Sequence, residues 1–464
     1  MSGVNRPGSA IGDDTNGGAV HGAIPSGGGR RRSTGRRQPQ TSGVARPAAA
    51  VSAAAIAAAM TNLVVAVMTA RELNAEGRGE IVLITTITGL TGMFVALGTG
   101  TSARFYLGRG DSRVSVDHVL GLSVLLAVPQ CLLTACVVGP TLWLADAPER
   151  GTDILVLTGL LSMSTLLGIQ LLETLNAVGQ MIGSAVVSMA GSVLQLAVLV
   201  VLAESTGTLQ VVSVLVVSVA VGMVQCFAAF LLLRRAGLVT RLRLDGAASR
   251  LLIRKGIPAL GMNTAMSMTF RLDRYLIGVI SGASAVGVYS VAATASEVLR
   301  LVPSSWGQVL CFRVANGTMK TRAVFVELVR VLAVMAGVAA CIWLAAEHLV
   351  VLFFGDAYQS AVTPLRVLLI AELLLVAFQI DARVLTGQGR TKACGAAGLV
   401  GLTVVGIADV ILIPIAGLVG AAWASVIAYA IVSLWTRVAM VRGPRKAGDA
   451  SMTLALTEPE RLAT

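Results

Sequence analysis

Charge is scarce in this chain, and so are the residues that usually accompany enzymatic chemistry. Only 13% of its 464 residues are Asp, Glu, Lys or Arg, against roughly 25% in an ordinary soluble domain. With 55% of the residues hydrophobic, that shortage excludes a soluble globular protein and points to a chain solvated by lipid. Aromatic residues are 4%, too few for the stacking platforms of a nucleic-acid binder. A net charge of +12 would suit nucleic acid only on a basic soluble face. Here the basic residues fall between apolar runs, so nucleic acid is not an expected partner. The three histidines, His21, His118 and His348, are scattered. The six cysteines, Cys131, Cys136, Cys226, Cys311, Cys341 and Cys394, lie in or at the ends of apolar runs without a C-x-x-C. No metal spacing and no disulfide pair follows from either set. No segment fits G-x-x-x-x-G-K-[ST], so no phosphate-cradling ATPase loop is expected, and no cofactor is implied.

What the chain does have is long apolar runs. Ahead of them, residues 1–45 contain "GDDTNGG" and "PSGGGRRRSTGRRQPQTSG", with almost nothing to bury, and read as a disordered tail. Arg30, Arg31, Arg32, Arg36 and Arg37 make it a basic cytoplasmic arm facing anionic lipid, with a misassigned start codon as the other reading. Apolar runs of about twenty residues, the length that crosses a roughly 30 Å hydrocarbon core, number twelve. They cover about 47–70, 81–107, 117–144, 153–176, 181–203, 209–233, 256–281, 286–311, 324–354, 362–387, 392–414 and 416–441. Their continuous apolar character predicts helices, because barrel strands would alternate.

Lys and Arg then orient the chain. With the N-terminus cytoplasmic, the inner connections hold Arg109 and Arg113, the cluster from Arg234 to Lys255, Arg313, Lys320 and Arg322, Arg390 and Lys392, and Arg442, Arg445 and Lys446. The outer ones hold only Arg71, Arg78 and Arg150. Both termini are therefore expected in the cytoplasm of a multi-pass inner-membrane protein. A faint internal repeat adds organisation. "LADAPE" at 144–149 pairs with "FGDAYQ" at 354–359, and "LNAVGQ" at 175–180 with "LTGQGR" at 385–390, while Gly79 pairs with Gly287. The repeat predicts two six-helix bundles, 46–234 and 256–441, joined by a basic cytoplasmic linker at 235–255 and followed by a C-terminal tail at 442–464. Two parallel repeats place a transport path between the halves.

The second half reads "GVYSVAATASEVL", "LFFGDAYQSAVTPLRVLLIAELL", "LTGQGRTK" and "ADVILIPIAGLVGAAWAS" in succession. This order resembles the polysaccharide transporters and O-antigen flippases of the multidrug/oligosaccharidyl-lipid/polysaccharide exporter superfamily, over roughly 45–441. The resemblance implies an all-α fold of twelve transmembrane helices around a central cavity. It implies movement, without covalent chemistry, of a polyprenyl-pyrophosphate-linked oligosaccharide from the cytoplasmic to the periplasmic leaflet. Membrane lipids and a polysaccharide polymerase or export machinery are the partners it implies. Asp409 in "GIADVILIP" departs from the family, which more often has Asn there.

Charges inside the apolar runs are the candidate site. In "MTFRLDRYLIGVI" stand Arg271, Asp273 and Arg274, and in "SEVLRLVPSSWGQV" stand Glu297 and Arg300. An arginine in hydrocarbon costs about 2.5–3.5 kcal/mol, so it should face protein or water. A guanidinium can fork two phosphate oxygens, which makes Arg271, Arg274 and Arg300 expected pyrophosphate ligands, with Arg104 and Arg78 as further ones. The plain alternative is ion pairing: Asp273 with Arg274, and Glu297 with Arg300 one turn on. Glu297, Asp273, Asp381 and Glu173 are the ion-coupling candidates, the last two also readable as surface charges at helix ends. A multidrug cation antiporter would want an acidic, aromatic pocket, against which the arginines argue. A membrane glycan polymerase or ligase would want a large aqueous loop, and the longest outer connection is about ten residues, "ADAPERGTDI".

Overall fold

The computed structural model describes residues 42–147, 151–239, 241–315, 321–388 and 390–442. The tails expected at 1–45 and 442–464 lie outside these residues except at their inner ends. Among the described residues there is no strand; all regular structure is helical. In chain order the helices are α1 Ser42–Val95, α2 Thr99–Leu107, α3 Val116–Leu144, α4 Thr152–Ala177, α5 Met181–Thr206, α6 Val211–Arg235 and α7 Gly246–Thr269. There follow α8 Leu272–Ser281, α9 Ala283–Glu297, α10 Leu301–Ala315, α11 Thr321–Phe354, α12 Val362–Gly387 and α13 Thr391–Val441. Nine of the helical stretches among the described residues are long and apolar enough to cross a membrane. Their outward side chains agree: Val201, Leu344 and Ile415 are 67%, 74% and 76% exposed. An apolar surface spread over so many helices would aggregate in water and is at home in lipid.

Two of the nine stretches, 45 and 50 residues long, exceed one membrane crossing and are bent inside. In α1 the bend is at Asn74, with φ 60° and ψ 179°, a conformation that costs a non-glycine residue on the order of 1–3 kcal/mol. In α13 it is at Gly417, φ 56°, where the missing Cβ removes that cost; Pro414 just before it has no amide hydrogen to continue the ladder. The segment expected as one span at 256–281 is also broken. α7 stops at Thr269 and α8 starts at Leu272, with Phe270 and Arg271 between them. The linker expected at 235–255 is shorter than its composition suggests, because the Asp245 carboxylate accepts from Ala247 N–H at 2.9 Å. That N-cap starts α7 at Gly246, so the basic run up to Lys255 is helix.

α3 packs on α4, α4 on α6 and α5, and α2 on α4; α12 packs on α13, α10, α11 and α9, and α13 on α7 and α8. The two groups meet through backbone as well as side chains. Gly79 of α1 lies so close to Ala283 and Gly287 of α9 that a Cβ on it would collide with their main chain, and a Cβ on Gly287 would strike Ala75. Gly98, at φ 69° between α1 and α2, lies in the same way against Gly256 of α7. Ser102 of α2 donates to Leu252 O at 2.7 Å beside it. α3 runs between these regions. Near its start Gly121 abuts the Arg243 backbone, and just past its end Ala145 O accepts from Ala283 N–H at 2.9 Å.

Candidate functional site

The break between α7 and α8 and a tightened turn between α9 and α10 together make a polar cavity of about 210 Å³. Residues Val298–Arg300 form one turn of 3-10 helix, a departure from α geometry that often marks a working joint. It aims Glu297 and Arg300 at the α7–α8 break. The cavity is lined by Met93 of α1, Ser267 of α7, Phe270, Arg271, Arg274 of α8, Glu297 and Arg300. A larger cavity of about 360 Å³ is lined only by apolar side chains, among them Val404, Ile407 and Ile411, and offers no group for binding or chemistry.

The three arginines of the polar cavity are held differently. Arg300 forks Glu372 of α12, Nε to Oε2 at 2.7 Å and Nη2 to Oε1 at 2.5 Å, and its guanidinium lies 5.2 Å from the Phe270 ring centre. Tyr429 braces that ring edge-on at 5.6 Å. Arg274 donates through Nη2 to Glu297 Oε1, and the same Glu297 oxygen is 3.7 Å from Arg300 Nη1. Arg271 makes no ion pair among the described residues and is exposed to the cavity. Gly89 of α1 leaves room for its Nη1, which would sit 3.1 Å from a Cβ there.

Asp273 does not pair with the Arg274 guanidinium, as neighbouring sequence suggests. Its Oδ1 accepts from the Arg274 backbone N–H at 2.7 Å and its Oδ2 from Tyr289 Oη at 2.7 Å. A first-turn carboxylate accepts the free amides of its own helix, and that leaves the Arg274 side chain to reach α9. Nor is the Glu297–Arg300 pair closed on itself, because the guanidinium fits the buried Glu372 fork better than a single oxygen one turn back.

The remaining expected residues lie elsewhere. Arg78 is buried and donates to Thr69 Oγ1 at 2.6 Å and Ser290 Oγ at 3.4 Å, bridging α1 to α9. Arg104 pairs with Glu173 of α4, half-exposed, outside the cavity. Asp381 is not a surface charge: it is fully buried and meets Arg437 at 3.1 Å, because α12 turns that face toward α13. Asp409 is fully buried with neither carboxylate oxygen hydrogen-bonded. In the α2–α3 connection Arg113 forks Asp111 and holds its carboxyl down at about 2. Sequence reasoning missed Glu372, although a single acid in the middle of "LLIAELLLVAF" already asks for a cation on a facing helix.

The geometry fits an anion held by one free and two tethered guanidinium groups over an aromatic floor. The model of the family described as polysaccharide biosynthesis protein matches residues 44–311. No curated protein matches the sequence. Among solved structures the chain is similar to the lipid II flippase MurJ in an inward closed conformation, at 13% identity, over 85% of this chain and 88% of that one, with a TM-score of 0.69. It is also similar to an outward-facing multidrug resistance transporter of the MATE family, at 16% identity over 88% and 97%, TM-score 0.62. A third is a MOP superfamily transporter from Pyrococcus furiosus, described by a binding pocket of reverse polarity, at 14% over 86% and 95%, TM-score 0.59. At these identities the likeness is one of fold.

Proposed function

The chain belongs to the polysaccharide biosynthesis protein family, and from that membership and the arginine-walled cavity we propose that it moves a polyprenyl-pyrophosphate-linked oligosaccharide across the membrane, from the cytoplasmic to the periplasmic leaflet. The observation that carries the reading is Arg271: a guanidinium facing a cavity inside an apolar protein, with no counter-ion of its own. Such a group is expensive in lipid, and an anionic ligand entering the cavity would engage it. Arg274 and Arg300 line the same cavity beside it. Outward movement of a pyrophosphate through an interior-negative potential of about 100 mV gains about 2.3 kcal/mol per unmasked charge.

Twelve crossings follow if α1 and α13 are each counted as two, divided at Asn74 and Gly417, and α7 with α8 as one more beside the seven other long stretches. The two packing groups support two six-helix halves, and the basic α2–α3 and α6–α7 connections, joined through Arg243 and Asp117, support a common cytoplasmic side with both termini there. Alternating access would open the cavity first past Gly98 and Gly256, then past Gly79 and Gly287. Glu173, locked to Arg104, Asp381, locked to Arg437, and Asp273, buried against Tyr289, are weaker ion-coupling candidates than Glu297, which lines the cavity.

Reconstitution into liposomes with a defined pyrophosphate-linked oligosaccharide tests the proposal, by the rate at which an external sugar-modifying probe gains access. Protein-dependent exposure that Arg271→Ala reduces at least about tenfold is expected; equal exposure with and without protein removes the flippase reading. The fold match to a multidrug transporter and the cavity carboxylate Glu297 favour a second reading, cation export. Cation efflux sensitive to Glu297→Gln and indifferent to Arg271→Ala would select it.

A further inference from the structure

The two acids of the arginine wall differ in burial, and that difference has a functional meaning. Glu372 is 1% exposed and grips Arg300 through both oxygens, whereas Glu297 is 35% exposed, faces the cavity, and shares one oxygen between Arg274 and Arg300. A buried fork resists exchange; a cavity-facing carboxylate held on one side does not. Glu297 directly precedes the 3-10 turn Val298–Arg300 as its N-cap residue, so a small change in that turn withdraws it.

We propose that Glu297 is a resident stand-in for the substrate's phosphate. Its carboxylate neutralises Arg274 and Arg300 while the cavity is empty, is displaced when a diphosphate loads, and reclaims both arginines to expel the ligand. This rests on the anion-site reading above. Arg271, free from the outset, makes the first contact with one phosphate, and the second phosphate then competes with Glu297 for Arg274. A group with a single phosphate can satisfy Arg271 but cannot at the same time offset the loss of Glu297, so the acid selects pyrophosphate over monophosphate. Glu372 stays in place throughout and keeps Arg300 pointed at the cavity.

The test uses the full-length protein in detergent, with inorganic pyrophosphate and orthophosphate titrated calorimetrically. E297Q is expected to bind pyrophosphate about tenfold more tightly than the parent, to gain still more for orthophosphate, and to turn over more slowly in liposomes because release is impaired. If Glu297 only positions the arginines, E297Q binds pyrophosphate no better or worse than the parent, and the proposal is overturned. Arg271→Ala separates the two readings. Loss of pyrophosphate binding in Arg271→Ala together with an unimproved E297Q removes the stand-in role alone. Absence of binding in every variant, or binding that ignores Arg271→Ala, removes the anion site and the stand-in with it. Should E297Q lose stability, pyrophosphate is expected to raise its melting temperature more than the parent's, since the added anion replaces the missing carboxylate; failure to do so counts against the proposal. Glu297→Asp, one methylene shorter, is expected to show a smaller gain of the same sign, and a loss of affinity there would also overturn it.

Discussion

Arg300 and Arg271 share one cavity wall but carry different obligations. Replacing Arg300 by Ala strands Glu372, a carboxylate buried to 1% exposure, and is expected to destabilise the protein by about 3–5 kcal/mol. Replacing Arg271 strands nothing and should change stability by no more than about 0.5 kcal/mol. Thermal melts of the purified single variants check the contrast, with the double change Arg300→Gln and Glu372→Gln expected to recover most of the loss; equal melting of the two alanine variants would contradict the assignment. Asp409 presents the reverse case. Its carboxylate is fully buried, both oxygens lack hydrogen-bond partners, and Asp273 adds like charge nearby. A buried charge without a partner is costly, so Asp409→Asn, which keeps the shape, should melt no lower than the parent. A clear drop would mean that the ionised carboxylate is held by a ligand.

At the scale of the element, breaks in helices matter more than the helices themselves. Asn74 bends α1 at φ 60°, a conformation glycine adopts freely, so Asn74→Gly is expected to raise stability by about 1 kcal/mol, read from thermal unfolding. The glycine contacts behave oppositely. Gly98→Val or Gly79→Val would press a side chain into the facing main chain, and is expected to leave insertion intact while holding the corresponding end apart. Cysteine accessibility near each contact, with and without the valine, measures this; unchanged labelling would show that the ends close elsewhere. These features also mark where sequence was readable and where it was not. The apolar length of α3, α4, α5 and α6 is plain from composition, because a lipid-facing helix must be apolar wherever it meets hydrocarbon. The start of α7 inside a basic run is not, since Asp245 caps by geometry that composition does not encode. Charged residues inside apolar runs singled out Arg271, Arg274, Glu297 and Arg300, which line one cavity. Their partners were not legible: Glu372 lies 72 residues from Arg300, and only packing of α12 against the 3-10 turn and α10 decides which cation it meets. Arg78 shows the same limit, since its charge pointed to substrate while its neighbours Thr69 and Ser290 absorb it.

On the scale of the whole molecule, α3 acts as a ruler, with 29 residues spanning about 43 Å at 1.5 Å each. The Gly121–Arg243 contact near its start and the Ala145–Ala283 hydrogen bond past its end therefore belong to opposite membrane faces. Cysteine placed at exposed Gly246 should react with an impermeant thiol reagent only after permeabilisation, and cysteine at exposed Thr208 in intact cells, in a background lacking the native thiols. Labelling of Gly246→Cys from outside would reverse the orientation and with it the direction of transport. Between the same faces, α9 carries Gly287 of one contact region and α10 carries Gly307 and Cys311, the latter two pressed against Arg383 and Gly387 of α12. The 3-10 turn Val298–Arg300 is the coupling between them. Three residues wound at three per turn advance about 60° further than three wound at 3.6 per turn, and rise about 1.5 Å more. Rewinding that turn to α geometry would swing α10 around its own axis relative to α9, like a crank set at mid-shaft, and would carry Glu297 and Arg300 out of phase with each other in the same stroke.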